Sequence, residues 1–234
     1  SYSVTGVQTC ALPIFISLVF HMLQEEIDNQ SKDVAALKGY IDDGIKQVAF
    51  LLETMNDFRD FLKPSSKKDR FCVCEAIEDV LKLTSALLIQ SNIEYEIPEC
   101  KRCPYVYGYE NELKNVCLNL IGNSNDAITS FRTKRGFRKS EFGGKITVDI
   151  QEKDEYVLIE FLDNGGGIDE EILPNLFQKY VSSKGDSGTG IGLFTAKTII
   201  EQNMGGEMGA CNKKNGACIS IKLQIGRASC RERV

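Results

Sequence analysis

The sequence has no long hydrophobic run, a deficit of positive charge and a single histidine. No apolar run reaches the roughly 18 residues that cross a bilayer. Residues 15–20 are apolar, but acidic residues soon follow, so membrane contact is expected only through segments upstream of this chain. The 28 Lys and Arg residues stand against 33 Asp and Glu, a formal net charge of −5. An acidic balance of this kind does not suggest a nucleic-acid binder. His21 is the one imidazole available to any chemistry that needs one. No internal repeat and no long low-complexity tract is evident, which leaves a globular domain of ordinary size with a smaller element attached.

The two ends are read apart from the rest. Residues 1–14 and 225–234 resemble translated sequencing adapters and are expected to be non-native tails that carry no fold information. The native piece is then expected to span residues 15–224 and to belong to a longer protein. Arg227, Arg231 and Arg233 against Glu232 give the last ten residues a charge of +2, so the remainder stands at about −7. Two of the nine cysteines fall in the tails. The others are Cys72, Cys74, Cys100, Cys103, Cys117, Cys211 and Cys218, an odd number, several of them in apolar patterns. Reduced cytosolic thiols are the expectation. Cys100 and Cys103 have metal-like spacing, with Cys72 and Cys74 as further ligands, but unligated thiols are favoured.

Hydrophobic periodicity divides the native piece. Val34, Ile41, Val48, Met55 and Leu62 recur every seven residues, with Leu37, Leu51 and Phe58 in a second row. Residues 15–63 are therefore expected to form a helical hairpin with a bundle seam. Pro64 and the polar residues after it read as a linker over 64–70. Residues 71–224 then alternate in type. Helices are expected at 74–89, 110–133, 170–178 and 189–202, and strands at 93–97, 105–108, 145–151, 156–162, 207–211 and 217–224. The predicted fold class is α+β: a two-layer α/β sandwich with a mixed, mostly antiparallel sheet, preceded by the α-helical hairpin.

Three stretches carry chemistry. On the helix predicted over 110–133, Asn115, Asn119 and Asn123 are spaced by four, with Asp126 a turn further on, so they share one side. Asparagine disfavours helix, because its side chain competes for backbone hydrogen bonds. A stripe of it is better explained as pocket lining, and a carboxamide oxygen is a hard, neutral ligand suited to Mg²⁺. Asp163 sits at the end of a predicted buried strand, just before Gly165, Gly167 and Ile168. A carboxylate there accepts hydrogen bonds and can read the exocyclic amino group of adenine. Glycines beside it let the backbone approach a flat base closely. The second glycine stretch, Gly188, Thr189, Gly190, Ile191, Gly192 and Leu193, leads into a predicted helix, where bare backbone N–H groups suit phosphate. It is not a Walker loop, since no Gly-Lys-Ser/Thr follows. It is not a dinucleotide fingerprint either, since a loop rather than a strand precedes it. Between the stretches, Phe177 and Tyr180 are expected to anchor a small polar lid, and Lys184 to reach a terminal phosphate.

In this order the residues resemble the ATP-binding domain of sensor histidine kinases, within the wider GHKL ATPase superfamily. Residues 115–127 resemble the family's N box, 163–168 its G1 box, 177–184 its F box and 188–193 its G2 box. The resemblance covers residues 74–224 and implies a Bergerat-type sandwich that binds Mg-ATP. It implies Asn123 as the main Mg²⁺ ligand with Asn119 assisting, Asp163 on adenine, and 188–192 on the phosphates. Ser124 stands where the family often has Ala. Hydrolysing members place Glu where Asn119 stands. Asn cannot take a proton from water in that way, which points to phosphoryl transfer rather than hydrolysis.

Residues 56–64 resemble the end of the second helix of the family's dimerisation and phosphoacceptor hairpin. The resemblance implies a homodimer through that hairpin, a response-regulator partner and a cytoplasmic location in a bacterium. His21 is followed by Met-Leu-Gln rather than the family's acidic or polar residue, so it is read as a helix-face residue. The expected acceptor histidine lies outside this chain. The rival readings are a serine kinase of anti-sigma type, which lacks the hairpin, and a nucleotide-sensing scaffold without transfer.

Overall fold

The computed structural model describes residues 41–42, 44–46, 67–97, 103–181 and 190–225. The chain divides into two units, Ser1–Lys63 and Pro64–Val234. In the first unit the five described residues are helical. Apart from Ile41, the residues of the seven-residue seam lie outside the described residues, as do His21, Cys100, Lys184, Gly188 and Thr189.

The second unit begins with β1 (Asp69–Cys72), which runs into α1 (Val73–Gln90). There follow β2 (Ile93–Glu96), β3 (Tyr105–Gly108) and the long α2 (Glu110–Arg135). The chain then forms the hairpin β4 (Gly144–Glu152) and β5 (Tyr156–Asp163). After the functional loops come α3 (Gly192–Thr198), continued by a π-helical turn over Ile199–Asn203, then β6 (Glu207–Lys213) and β7 (Gly216–Gln224). Five strands make one sheet in the order β2-β4-β5-β7-β6, with β1 and β3 as a separate antiparallel ribbon. Only the β2–β4 pairing in the large sheet is parallel; β4–β5, β5–β7 and β6–β7 are antiparallel. Helices laid on a mixed, mostly antiparallel sheet match the expected α+β sandwich. Among the described residues no helix is long and apolar enough to cross a membrane.

Alternation explains the layering. Val157, Ile159 and Phe161 of β5 are buried while their neighbours are partly exposed. They face Val148 on one side and Ile221 and Leu223 on the other. This face meets the apolar stripe of α1 (Ile77, Val80, Leu81, Leu88) and of α2 (Leu113, Val116, Leu120, Ile128), all buried. Each fully buried aliphatic side chain contributes about 1.5–3 kcal/mol relative to exposure. Two polar anchors lie between the helices. Lys114 of α2, itself 8% exposed, bridges Asp79 of α1 at 2.8 Å and Glu110 at 2.7 Å. Burial disfavours its charge, but the two carboxylates outweigh burial and hold its pKa above the usual lysine value. Arg132, 4% exposed, donates to the carbonyls of Ser91, Asn92 and Phe142. It thereby satisfies backbone oxygens just beyond the end of α1 that the helix itself leaves open. Gly136 then ends α2 in the left-handed conformation, φ 71°.

Several local expectations are corrected. The helix expected over 170–178 is a run of single turns closed mostly by i→i+3 hydrogen bonds, with one 3₁₀ segment, Leu173–Asn175. Pro174 has no N–H to give and disfavours helical geometry before it. The helix expected from Thr189 begins at Gly192, because Gly190 at φ 61° and Ile191 at the cap position precede it. Asp69 and Arg70, read as linker, pair in β1 with Gly108 and Tyr107. Ile225, placed with the tail, donates its N–H to Glu155 at 2.9 Å. Lastly, Cys72 and Cys103 do not stand apart as single thiols. The β1–β3 register sets Cys72 opposite Tyr105, so Cys103 arrives two residues away and the two sulfurs are in direct bonding contact.

Candidate functional site

The site forms where β5 ends against α2. Asp163, the last residue of β5, turns its carboxylate back onto the loop it opens. Its Oδ1 accepts the N–H of Gly165 at 2.8 Å and that of Ala217 at 3.4 Å, while Ser124 of α2 donates to its Oδ2 at a long 3.5 Å. Burial pushes the Asp163 pKa up, and these three donors offset part of the rise. The carboxylate is thus held in place but left short of positive partners, a state suited to accepting a further N–H. Ser124, the departure from the family's usual Ala, is buried and sits directly on this carboxylate.

Gly165 is required by a close approach. A Cβ there would stand 2.8 Å from the carbonyl carbon of Ala127 and 2.8 Å from the nitrogen of Ile128. The glycine stretch therefore lies flat on the α2 backbone, level with the turn after Asn123. The expected asparagine stripe is present on this helix. Asn119 and Asn123 are half-buried, and Asn123 Nδ2 donates to Asn119 Oδ1 at 3.2 Å, which fixes which end of the Asn123 amide faces its neighbour. Asp126 is partly exposed and accepts from Asn125 Nδ2 at 3.4 Å.

The second glycine stretch meets the same helix at Asn119. A Cβ on Gly192 would lie 2.7 Å from Asn119 Oδ1 and 3.0 Å from its Nδ2. Asn119 thus touches the start of α3 and Asn123 at once. Of the other residues singled out in this stretch, Ile191 is 44% exposed and Leu193 half-buried. Tyr180 joins the site through its backbone: its N–H donates to Gly190 O at 2.9 Å, while its side chain is 77% exposed. Phe177 is partly buried with Lys197 Nζ 4.9 Å from its ring centre.

One contributor escaped the sequence reading. Asn212 of β6 donates through Nδ2 to Ile168 O and accepts from Ile168 N through Oδ1, both at 2.7 Å. Gly166 N donates to Asn215 O at 3.1 Å. The β6–β7 turn thus holds the first glycine stretch in place. An Asn-Gly pair at 215–216 marks a hairpin turn in sequence, but nothing in it tells which loop the turn will clasp. A surface depression of about 470 Å³ lies elsewhere, lined by Arg70, Cys103, Tyr105, Glu152 and Ile225.

Residues 108–227 match the family described as histidine kinase-, DNA gyrase B-, and HSP90-like ATPases. Among curated relatives, sensor protein KdpD of Clostridium acetobutylicum is 30% identical over 158 residues, 65% of this chain and 16% of its own length. Sporulation kinase E of Bacillus subtilis is 28% identical over 162 residues, 69% of this chain and 20% of its own. The chain therefore spans a fifth or less of the length of these relatives. A solved catalytic domain of histidine kinase ThkA, in a nucleotide-free form, superposes with a TM-score of 0.58 at 23% identity, covering 68% of this chain and 95% of that one. A structure of ThkA in complex with response regulator protein TrrA gives 0.55 at 19% identity, over 96% and 63%. The loops around Asp163 and Gly192 fall within the matched residues, and the chain belongs to the histidine kinase-, DNA gyrase B- and HSP90-like ATPase family.

Proposed function

We propose that the chain carries the ATP-binding catalytic domain of a two-component sensor histidine kinase, which binds Mg-ATP and donates its γ-phosphoryl group to a histidine. The observation that carries this reading is the contact of Asn119 with Gly192 and Asn123. An amide occupies the position where a water-activating carboxylate would be needed for hydrolysis, and an amide has no basic site for that proton. Catalysis is then positioning of the phosphates rather than activation of water.

In this reading Asp163 accepts the adenine amino group, and Gly165 and Gly167 allow the base to lie against α2. Asn123 holds Mg²⁺ with Asn119 assisting; two neutral amide oxygens beside a glycine-lined helix start suit a hard cation that also contacts phosphate. The metal would neutralise charge on the phosphate oxygens. The N–H groups around Gly188, Gly190 and Gly192 hold those oxygens, with Lys184 and Tyr180 at the lid. The parent protein pairs as a homodimer through residues 15–63 and passes the phosphoryl group to a response-regulator aspartate on the cytoplasmic side. Similarity to ThkA, solved in complex with a response regulator, supports that partner. His21, flanked by Met-Leu-Gln, is not the acceptor.

The test uses labelled ATP with Mg²⁺, alone and with a phosphoacceptor hairpin added in trans. Binding of nucleotide, slow phosphate release and acid-labile label on the added hairpin are expected. Acid-labile label on His21, or rapid hydrolysis without transfer, overturns the reading.

A further inference from the structure

We propose that Cys72, Cys74 and Cys103 form a thiolate site for a zinc ion, at the point where the Pro64–Val234 unit begins its fold. The sulfurs of all three lie within 4.8 Å of one another. They reach that point from two pieces of chain, the β1–α1 junction and the approach to β3. Cys72 ends β1, Cys74 is the second residue of α1, and Cys103 precedes β3. Val73 N donates to Pro104 O at 3.0 Å, which locks the two backbones together beside the cluster.

A disulfide joins two sulfurs, whereas here all three cysteines, Cys74 included, are engaged at one point. Convergence of three on one point is what a shared cation uses. Zinc takes thiolates in tetrahedral sets at about 2.3 Å from the metal, so Cys72 and Cys103 would part from their bonding contact to hold it, while the set can stay within the 4.8 Å that the three sulfurs span. The surroundings favour the thiolate form. Cys72 is the N-cap of an 18-residue helix, and its Sγ accepts the N–H of Glu75 at 3.4 Å. Helix N-termini and N–H donors to sulfur stabilise thiolates and orient metal ligands. Cys72 and Cys74 are 4% and 2% exposed, while Cys103 is partly exposed and borders the depression also lined by Arg70 and Tyr105. An ion thus has a route in and a site largely shielded from water. From the reduced state each thiol yields its proton to solvent on binding; where Cys72 and Cys103 are joined as a disulfide, a thiol reductant must first supply two electrons and be oxidised in turn. Cys100 precedes Cys103 with the Cys-x-x-Cys spacing of zinc ligand pairs, but lies outside the described residues, and the assignment rests on the other three.

The test is independent of nucleotide chemistry. The full chain is purified anaerobically, and bound metal is measured by elemental analysis alongside wild-type, Cys74→Ser and Cys211→Ser proteins. About one zinc per chain is expected in the wild type and in Cys211→Ser, whose exposed thiol serves as control, with loss of most of the metal in Cys74→Ser. Zinc at trace level in the wild type, equal zinc in Cys74→Ser, or a Cys72–Cys103 disulfide mapped in the anaerobic protein overturns the assignment. Should Cys74→Ser fail to fold, Co²⁺ exchanged into the wild type decides. A thiolate-to-cobalt charge-transfer band with tetrahedral ligand-field intensity is expected, and its absence refutes the site.

Discussion

Replacing Gly165 with alanine places a methyl group 2.8 Å from the Ala127 carbonyl carbon, 2.8 Å from Ile128 N and 3.0 Å from Ala127 Cβ. Carbon atoms rest about 3.5–4.0 Å apart, so relief needs a separation of roughly 0.7 Å or more between the glycine stretch and α2. No rotamer can supply it, since two of the three atoms are backbone in the middle of a 26-residue helix. Overpacking of this kind costs about 1–3 kcal/mol. The same displacement separates Asp163 from Ser124, already at 3.5 Å, and shifts Asp163 relative to Asn119 and Asn123. Urea unfolding is expected to show that loss, and titration with a fluorescent ATP analogue a fall in affinity of about tenfold or more, since about 1.4 kcal/mol is a factor of ten. Gly143→Ala is the control: nothing lies within 4 Å of its added Cβ, and stability should stay within about 0.5 kcal/mol of wild type. A Gly165→Ala protein matching Gly143→Ala in both assays refutes the argument that this glycine is held by contact with α2.

Asp163→Asn keeps the shape but presents an amide, so ATP affinity should fall about tenfold or more while the fold survives, because a buried donor–acceptor match is lost. With its folded pKa raised, wild-type Asp163 favours the fold below the unfolded aspartate pKa. That contribution is lost as pH rises through the folded value, so the stability of wild type relative to Asp163→Asn should decline across that window; a flat difference between the two denaturation curves would contradict the burial argument. Gly192→Ala meets mainly the Asn119 amide and should weaken nucleotide binding in titration while costing the fold less than Gly165→Ala, since a side chain can yield where a backbone cannot. Arg132→Ala leaves the carbonyls of Ser91 and Phe142 without their guanidinium donor, while Asn92 O keeps the N–H of Gly144; it should cost about 3 kcal/mol in urea unfolding, with little rescue by Arg132→Lys, whose single ammonium cannot fork to all three carbonyls.

The elements of the Pro64–Val234 unit were legible because their periods differ. Alternation in β4, β5 and β7 and the apolar stripes of α1 and α2 each read as one type, and the motif order placed Asp163, Asn119 and Gly192 near one another. Three features were hidden. The strand Asp69–Cys72 has four residues and acquires its identity from β3, 33 residues or more away in the chain, which no local pattern reveals. The turns at 169–178 depended on Pro174 outweighing an otherwise helical composition. The role of Asn212 arises from the β6–β7 turn folding over Ile168, a tertiary event. The cysteine cluster is of the same kind: the sequence favours unligated thiols despite a metal-like spacing, and the β1–β3 register is what gathers Cys72, Cys74 and Cys103.

The open sheet ends on β2 and β6, and the two flanks have a bearing on solubility. The interior strand β5 is paired along both edges; a terminal strand offers a row of vacant hydrogen bonds to any passing chain. The β2 flank is short, and its exposed residues include Glu94 and Glu96, the latter 2.8 Å from Lys145. The β6 flank carries exposed Glu207 and Lys213, both engaged by charges of the sheet itself. An incoming strand would have to strip water from these ions before gaining a single backbone bond. A sheet without closure can in this way stay unextended at high concentration, and neutralising Glu94 and Glu96 together would remove that protection from one flank.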